Sequence, residues 1–259
     1  MTTSAETVSN LRATWAGLGK LSRSLTVDQW SSPSLCPAWT AQGVIAHAAS
    51  IEQVLLGWKP GGDSPFSALV ETHAEFSAMS PDDLVIRFRE IVTGRLAELE
   101  SMTEDDFATV GFTPVGPQTY GRFMAIRCFD NWVHERDIRV PLAIPGDDGG
   151  PAAVMALDEV HNSLGFIVGK KVGLTDGRSL AVELTGPVVR RMCVKVDGRA
   201  AVVPTLDNPD ATLITDSLTF MLLACGRIDP DDPIADGRMT WIGDSELGER
   251  AARNLRFTM

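Results

Sequence analysis

Two histidines and one aspartate stand where they could grip a metal ion. The chain has only four histidines. His47 (in GVIAHAAS) and His134 (in FDNWVHERDI) sit in the middle of apolar helical patterns. Asp130 precedes His134 by four residues, so on a helix both side chains project from one face about one turn apart. An acid and an imidazole at that spacing can hold the same ion, and His47 from a facing helix would complete the set. Two imidazoles and one carboxylate are the ligands of many catalytic zinc sites, which keep a further position free for water or substrate. Spacing alone leaves two other readings open. Asp130 and His134 could form an ion pair on a helix surface, or the histidines could be core residues with satisfied hydrogen bonds.

The elements that must carry these residues are legible in the apolar spacing. Leu11, Trp15, Leu18, Leu21 and Leu25 recur at three or four and predict a first helix. Pro33 and Pro37 mark a loop, Thr40 stands at an N-cap position, and Val44, Ile45, Ala48, Ile51, Val54 and Leu55 continue as a second helix bearing His47. The segment 60–66, PGGDSPF, breaks the chain. Ser80-Pro81-Asp82-Asp83 opens a third helix to about Glu100: a capping hydroxyl, Pro in the first turn, and acids at the positive end of the dipole. A fourth, from about Thr119 to Val140, bears Asp130 and His134 and ends at Pro141. Four long helices predict a bundle. His73 falls in an acidic stretch read as a solvated loop.

The composition break IPGDDGGP at 144–151 is expected to separate a domain of residues 1–145 from one of 151–259. A helix is predicted at about 151–169, with His161 on it. Strand-like runs follow at 179–186, 189–198 and 200–203, set apart by Gly186-Pro187 and Asp197-Gly198. Asp216 precedes a helix running through Cys225, Met239–Ile242 reads as a short strand, and Ser245–Leu255 as a last helix. The expected fold class is α+β.

Bulk properties narrow the partners. At 259 residues the chain is at the upper edge of what one core fills. A net charge of -11 and a pI near 4.8 disfavour phosphate backbones and anionic lipid surfaces, so no nucleic acid and no membrane are expected. No apolar run spans a bilayer and the N-terminus lacks signal-peptide features, so a cytoplasmic location is expected. Cys36, Cys128, Cys193 and Cys225 are widely spaced and read as buried free thiols.

The segment WSSPSLCPAWTAQGVIAHA (30–48) resembles the signature of the mycothiol-dependent maleylpyruvate isomerase family, a branch of the DinB-like bundles. The elements that carry the resemblance are Trp30, Pro33, Ser34, Cys36, Pro37, Trp39, Thr40 and His47. A second signature, an acid, three residues, then His-x-x-Asp, is matched by Asp130, His134 and Asp137. The C-terminal runs NPDATLITDSLTFMLLACGRIDPDDP and MTWIGDSELGERAARNLRF resemble the small sterol-carrier-like domain that often follows this bundle.

The resemblance implies a DinB-like four-helix bundle followed by a small α+β sterol-carrier-like domain. It also implies a divalent metal on His47, Asp130 and His134, zinc first, with nickel or iron(II) possible on the same ligands. Mycothiol is the implied co-substrate, and a thiol bound at the open position would lose its proton near neutral pH. Addition of the thiolate to a small electrophilic or unsaturated substrate gives cis–trans isomerisation if the adduct rotates and expels the thiol, or S-transfer if it is released. The alternative is a non-catalytic metal or ligand sensor on the same bundle.

Two residues depart from the family pattern: Asp130 where Glu is usual, and Gly43 where an Asp could support His47. Asp137 has two readings, a fourth ligand or an acceptor behind the site. Cys36 and Trp39 read as loop residues packed into the bundle core. Arg227, at a helix end, could pair bidentately with a substrate or thiol carboxylate, or complete the helix dipole.

Overall fold

The computed structural model describes residues 3–257, and the chain divides between Gly146 and Asp147 into two compact units. In the first, α1 (Ser4–Ser24) leads through a short α2 (Val27–Ser31) to α3 (Ala41–Leu55). A single tight turn at Pro65–Ala68 feeds α4 (Leu69–Ser77), followed by α5 (Pro81–Ser101) and a short α6 (Glu104–Ala108). The two-residue strands β1 (Val110–Gly111) and β2 (Gln118–Thr119) pair antiparallel ahead of α7 (Tyr120–Arg139). Helix α1 packs on α5 and α7, while α3 packs on α4, α5 and α7. Leu11, Leu18, Ile45, Leu55, Phe88 and Phe123 are among the side chains buried where these helices meet.

The long helices start where their caps stand. Thr40 Oγ1 accepts from the Gly43 amide, Ser80 Oγ from Asp83 with Pro81 in the first turn, and Thr119 Oγ1 from Arg122. Each cap satisfies an amide that the helix itself leaves without a partner. The cap at Thr40 fixes where α3 begins and so which side of it carries His47.

Two short helices lack the length to show an apolar period. Helices α2 and α6 instead carry capping boxes, Thr26 with Gln29 and Thr103 with Asp106. Helix α4 corrects the reading of His73: the residue is helical and half-buried, not part of a solvated loop. Only Phe76 of α4 is buried, so the helix lacks the apolar stripe that would have announced it.

The second unit opens with α8 (Gly150–Phe166), extended by a wider π-helical turn at Ile167–Val172. Strands β3 (Ser179–Thr185), β4 (Arg190–Asp197), β5 (Arg199–Val203) and β6 (Ala211–Asp216) follow. Then come α9 (Ser217–Ala224), α10 (Asp231–Ala235), β7 (Met239–Gly243) and α11 (Ser245–Arg253). The sheet runs β5-β4-β3-β6-β7, with β3 and β6 parallel and the other pairs antiparallel. The architecture is thus α+β, a helical half followed by a half built on a mixed sheet.

Strand β6 is an element that the alternation in the sequence does not announce. It lies inside the sheet, with Val182 opposite Leu213, and Ala211, Thr212 and Leu213 are all buried in succession. A strand covered on both faces loses the polar–apolar alternation that marks a half-exposed one. Leu213 is fully buried, whereas Ile242 on edge strand β7 is 61% exposed. Leu213→Ala should therefore cost about 2–5 kcal/mol and Ile242→Ala under about 0.5 kcal/mol. Urea unfolding of the two variants checks this, and equal losses would misplace β6.

Candidate metal centre

His47 projects from the middle of α3 and Asp130 and His134 from α7. One ligand atom from each, two imidazole nitrogens and a carboxylate oxygen, lie within 4.8 Å of one another. Asp130 Oδ1 is 3.4 Å from His134 Nε2, and its Oδ2 is 3.8 Å from His47 Nε2. The sequence reading brought these three residues together, and the fold does so too. His134 is buried, while the Asp130 side chain is 28% exposed and that of His47 17%, so the trio is reached from the Asp130 side. The donor set suits a divalent ion with borderline or hard preferences, zinc among them.

Behind His134 stands Asp137, fully buried. Its Oδ2 accepts from His134 Nδ1 at 2.8 Å and from the Cys36 thiol at 3.0 Å. With Nδ1 engaged by a carboxylate, Nε2 is the nitrogen presented to Asp130. Such carboxylate–imidazole pairs fix the tautomer of metal-binding histidines. Of the two readings of Asp137, the acceptor behind the site is the one its hydrogen bonds describe. Cys36, His134 and Asp137 also present ligand atoms close together, but these two hydrogen bonds account for their arrangement. Cys36 is buried as expected, yet it is a donor to Asp137 and not inert packing.

The loop before α3 is held to α7. Leu35 N donates to the Asp137 carbonyl at 2.9 Å, and Ser34 N and Oγ both donate to the Trp39 carbonyl. This places Trp39 at the site and not in the core: it is half-exposed, and its ring centroid is 4.6 Å from His47, 5.2 Å from His73 and 6.0 Å from His134. A Cβ at Gly43 would come within 3.0 Å of Trp39 Cβ and 3.2 Å of its Cγ. The missing side chain is what lets the indole fold over the first turn of α3. The Gly43 carbonyl, which can only accept, lies 3.2 Å from His73 Nε2, so that nitrogen carries a proton. His73 is a site-facing residue that the reading of its segment as a loop missed.

A buried charge chain reaches the trio through Asp130. Glu52, on α3 with His47, is fully buried. Arg127 Nε donates to its Oε1 at 2.9 Å, and Arg127 Nη1 donates to Asp130 Oδ2 at 2.5 Å. Arg127 Nη2 is 2.8 Å from the same Glu52 oxygen but is not aligned as a hydrogen-bond donor to it, so that contact is an ion pair only. Arg95, fully buried on α5, bonds Glu52 Oε2, Glu98, Tyr120 and the Leu55 carbonyl. Sequence reasoning missed all of these. Glu52 and Arg127 stand amid apolar residues of buried helices, and that misfit was the available signal.

Arg227, in the second unit, follows the C-terminal end of α9 and donates through Nη1 to the Cys225 carbonyl at 3.0 Å. This is the helix-end role. Arg227 also lines a cavity of about 440 Å³ with Arg253 and Arg256. All four cysteines are free and buried, and burial raises the Cys128 thiol to about 12.

The site describes a protein whose helical half presents a three-residue ligand set with one open side. Family models agree with that class. The mycothiol maleylpyruvate isomerase N-terminal domain matches residues 11–139, and the companion C-terminal domain matches 155–249. The chain belongs to the mycothiol-dependent maleylpyruvate isomerase family. Among solved structures, a histidine-to-alanine variant of the mycothiol-dependent maleylpyruvate isomerase is similar at 17% identity and TM-score 0.62, over 93% of this chain and 95% of that one. The mycothiol-dependent maleylpyruvate isomerase itself is similar at 19% identity and TM-score 0.59, over 88% and 93%. At that identity the likeness concerns the fold. No curated protein sequence matches the chain. Among the described residues, no helix is long and apolar enough to cross a membrane.

Charge in the site is strongly biased. For His134 burial opposes the proton, but Asp130 and then Asp137 outweigh it and raise the imidazole well above its ordinary 6.5. For His47 burial dominates and lowers its pKa, with Asp130 only partly offsetting it. Burial also opposes the charge of Asp130, yet His134 and Arg127 hold the carboxyl well below the usual range.

These shifts have opposite linkage signs. In protein stripped of divalent ions, the raised His134 contributes stability that is present below pH 6.5 and lost as pH rises through its folded value. The lowered His47 makes stability increase as pH rises toward 6.5. Thermal melts of chelator-treated protein should therefore show a loss above pH 6.5 that His134→Gln removes. An identical alkaline profile in that variant would contradict the charge assignment.

Proposed function

We propose that the protein is a metal-dependent enzyme that uses a low-molecular-weight thiol, mycothiol by family, as a nucleophile toward a small unsaturated or electrophilic substrate. Its outcome is isomerisation of the maleylpyruvate type or S-transfer. The observation that carries this reading is the convergence of His47, Asp130 and His134 within 4.8 Å on the helical unit of a family named for that thiol and that isomerisation.

A divalent ion held by the three ligands, zinc first, would supply positive charge that stabilises a thiolate near neutral pH. The chain's own residues account for the rest. Asp137 holds His134 so that Nε2 faces the site, and the neutral His47 offers a lone pair without first losing a proton. Trp39 lies against His47 and His134, and His73 against His47, on one side of the trio. Arg227 is proposed to hold a carboxylate of the substrate or thiol through its planar fork.

In the reaction, the thiolate sulfur forms a bond to one carbon of the activated double bond, and the electron pair moves onto the conjugated acceptor. Rotation about the new single bond, followed by return of the pair and loss of the thiolate, gives the geometric isomer. Protonation and release of the adduct gives the transfer product.

The metal is tested first. Dialysed protein should carry close to one equivalent of a divalent transition metal, and His47→Ala and His134→Ala should each lose it. Full metal content in both variants, by elemental mass spectrometry, would place the ion elsewhere. Asp130→Asn keeps the size of the side chain and removes its charge, so metal retention and mycothiol consumption against a panel of electrophiles should both fall. Asp130→Glu should keep metal and part of the activity. A surface ion pair would behave otherwise: its loss costs about 0–1 kcal/mol and leaves metal content unchanged. Wild-type activity in Asp130→Asn would remove Asp130 from the site.

A further inference from the structure

The buried chain behind the trio has a direction. It begins at Arg95 on α5, passes through Glu52 on α3 to Arg127 on α7, and ends on one oxygen of Asp130. Arg95, Glu52 and Arg127 are 0%, 0% and 3% exposed. Three helices therefore contribute a charged group each to a contact line with one partly open end, the Asp130 carboxylate.

Charges this deeply buried are retained only where each is answered. Glu52 alone cannot balance two guanidinium groups. Arg95 finds a second acid in Glu98 at 2.8 Å, and Arg127 finds its second in Asp130 at 2.5 Å. The geometry at Asp130 is then asymmetric. Its Oδ2, also the oxygen 3.8 Å from His47 Nε2, is taken by Arg127 Nη1, and its Oδ1 faces His134 Nε2 at 3.4 Å. A carboxylate on a short side chain, three residues beyond the arginine on the same helix, is bent toward that arginine, which holds one of its two oxygens.

We propose that Arg127 is the positioning residue of Asp130, that it confines the carboxylate to donation through Oδ1, and that buried Glu52 is the counter-charge that keeps Arg127 in place. This rests on the reading of the trio as a metal site and adds the device that aims its acid. It also accounts for an aspartate at this position: a carboxylate clamped by a neighbour one turn away does not need the reach of glutamate. Outer hydrogen bonds of this kind commonly govern metal affinity by about 10–100-fold.

The test is zinc affinity, read by competition with a chromophoric chelator at a temperature where every variant is folded by circular dichroism. Removing Arg127 or Glu52 alone would unbalance the buried charges, so the main variant is Glu52→Gln/Arg127→Met. It removes both charges, and the amide oxygen introduced on α3 is left for Arg95. Its zinc affinity should fall by about 10–100-fold.

Should that variant not fold, Arg127→Lys decides. An ammonium can serve Glu52 or Asp130 but has no fork to serve both, so zinc affinity should again fall. In an Asp130→Asn background the Arg127 substitution should have no further effect on zinc affinity, because its influence runs through that carboxylate. A merely structural arginine would lower the melting temperature and leave zinc affinity where it was.

Wild type that binds one zinc, with unchanged affinity in the folded variants, overturns the clamp and leaves the metal reading standing. Undiminished losses in the Asp130→Asn background overturn it as well. Wild type that takes up no zinc overturns both.

Discussion

A carboxylate inside a helical bundle must have its charge answered, and Asp130 meets that demand from two sides. Arg127 approaches one oxygen and the imidazole of His134 the other. Much of the first unit follows from this. Arg127 needs Glu52, which comes from α3, and Glu52 is shared with Arg95 from α5. The three helices are thus joined by charges as well as by apolar contact. Removing one member would leave the buried charges of the others unbalanced, which is far costlier than losing a surface pair. The helix that supplies Glu52 is also the one that supplies His47, so the interaction that tolerates the acid also registers α3 against α7 at the site.

The same logic acts on the loop between α2 and α3. It has little regular structure, yet it is tied to α7 through Leu35 on the Asp137 carbonyl and Cys36 on the Asp137 carboxylate. One residue of α7 therefore fixes both the loop and the orientation of His134. Trp39 is carried along by the loop and comes to rest over the first turn of α3, where a glycine leaves room for it. The absent carboxylate at Gly43 is better understood from this packing than from His47. The position has become a seat for the indole, and its carbonyl has become an acceptor for His73.

What was legible in the sequence is what repeats or caps. Thr40, Ser80 and Thr119 mark helix starts because their side chains replace missing intrahelical bonds, and that chemistry is local. The pairing of Asp130 with His134 was visible because helical spacing is fixed. Asp137 was visible, but its part was not: choosing between ligand and acceptor requires knowing where Nδ1 points. His73 and Trp39 were misjudged for one reason. Helix α4 buries only Phe76, and the Trp39 loop has no period at all, so nothing local signals that both turn toward α3. Strand β6 was hidden by the opposite excess, since burial on both faces erases alternation. Arg127 and Glu52 could have been singled out as charges in apolar helical settings, though their mutual pairing depends on how α3 crosses α7.

The two imidazoles of the trio are not equivalent, and that asymmetry is where the arrangement is most informative. His134 is held between two carboxylates, buried, and strongly basic; His47 has one distant carboxylate and loses basicity to burial. A cation entering the proposed site would meet a free lone pair on His47 but would have to displace a proton from His134, whose remaining N–H would stay on Asp137. Binding would then be coupled to proton release, as expected where ligands must be deprotonated. Under the proposed metal reading, these residues would offer an ion two neutral imidazoles and one carboxylate whose second oxygen is already engaged by a guanidinium. Little negative charge would be left to quench such an ion, so most of its field would fall on an anion at the open side. A thiolate would be such an anion, and the residues behind the proposed ligands are what would leave that field available to it.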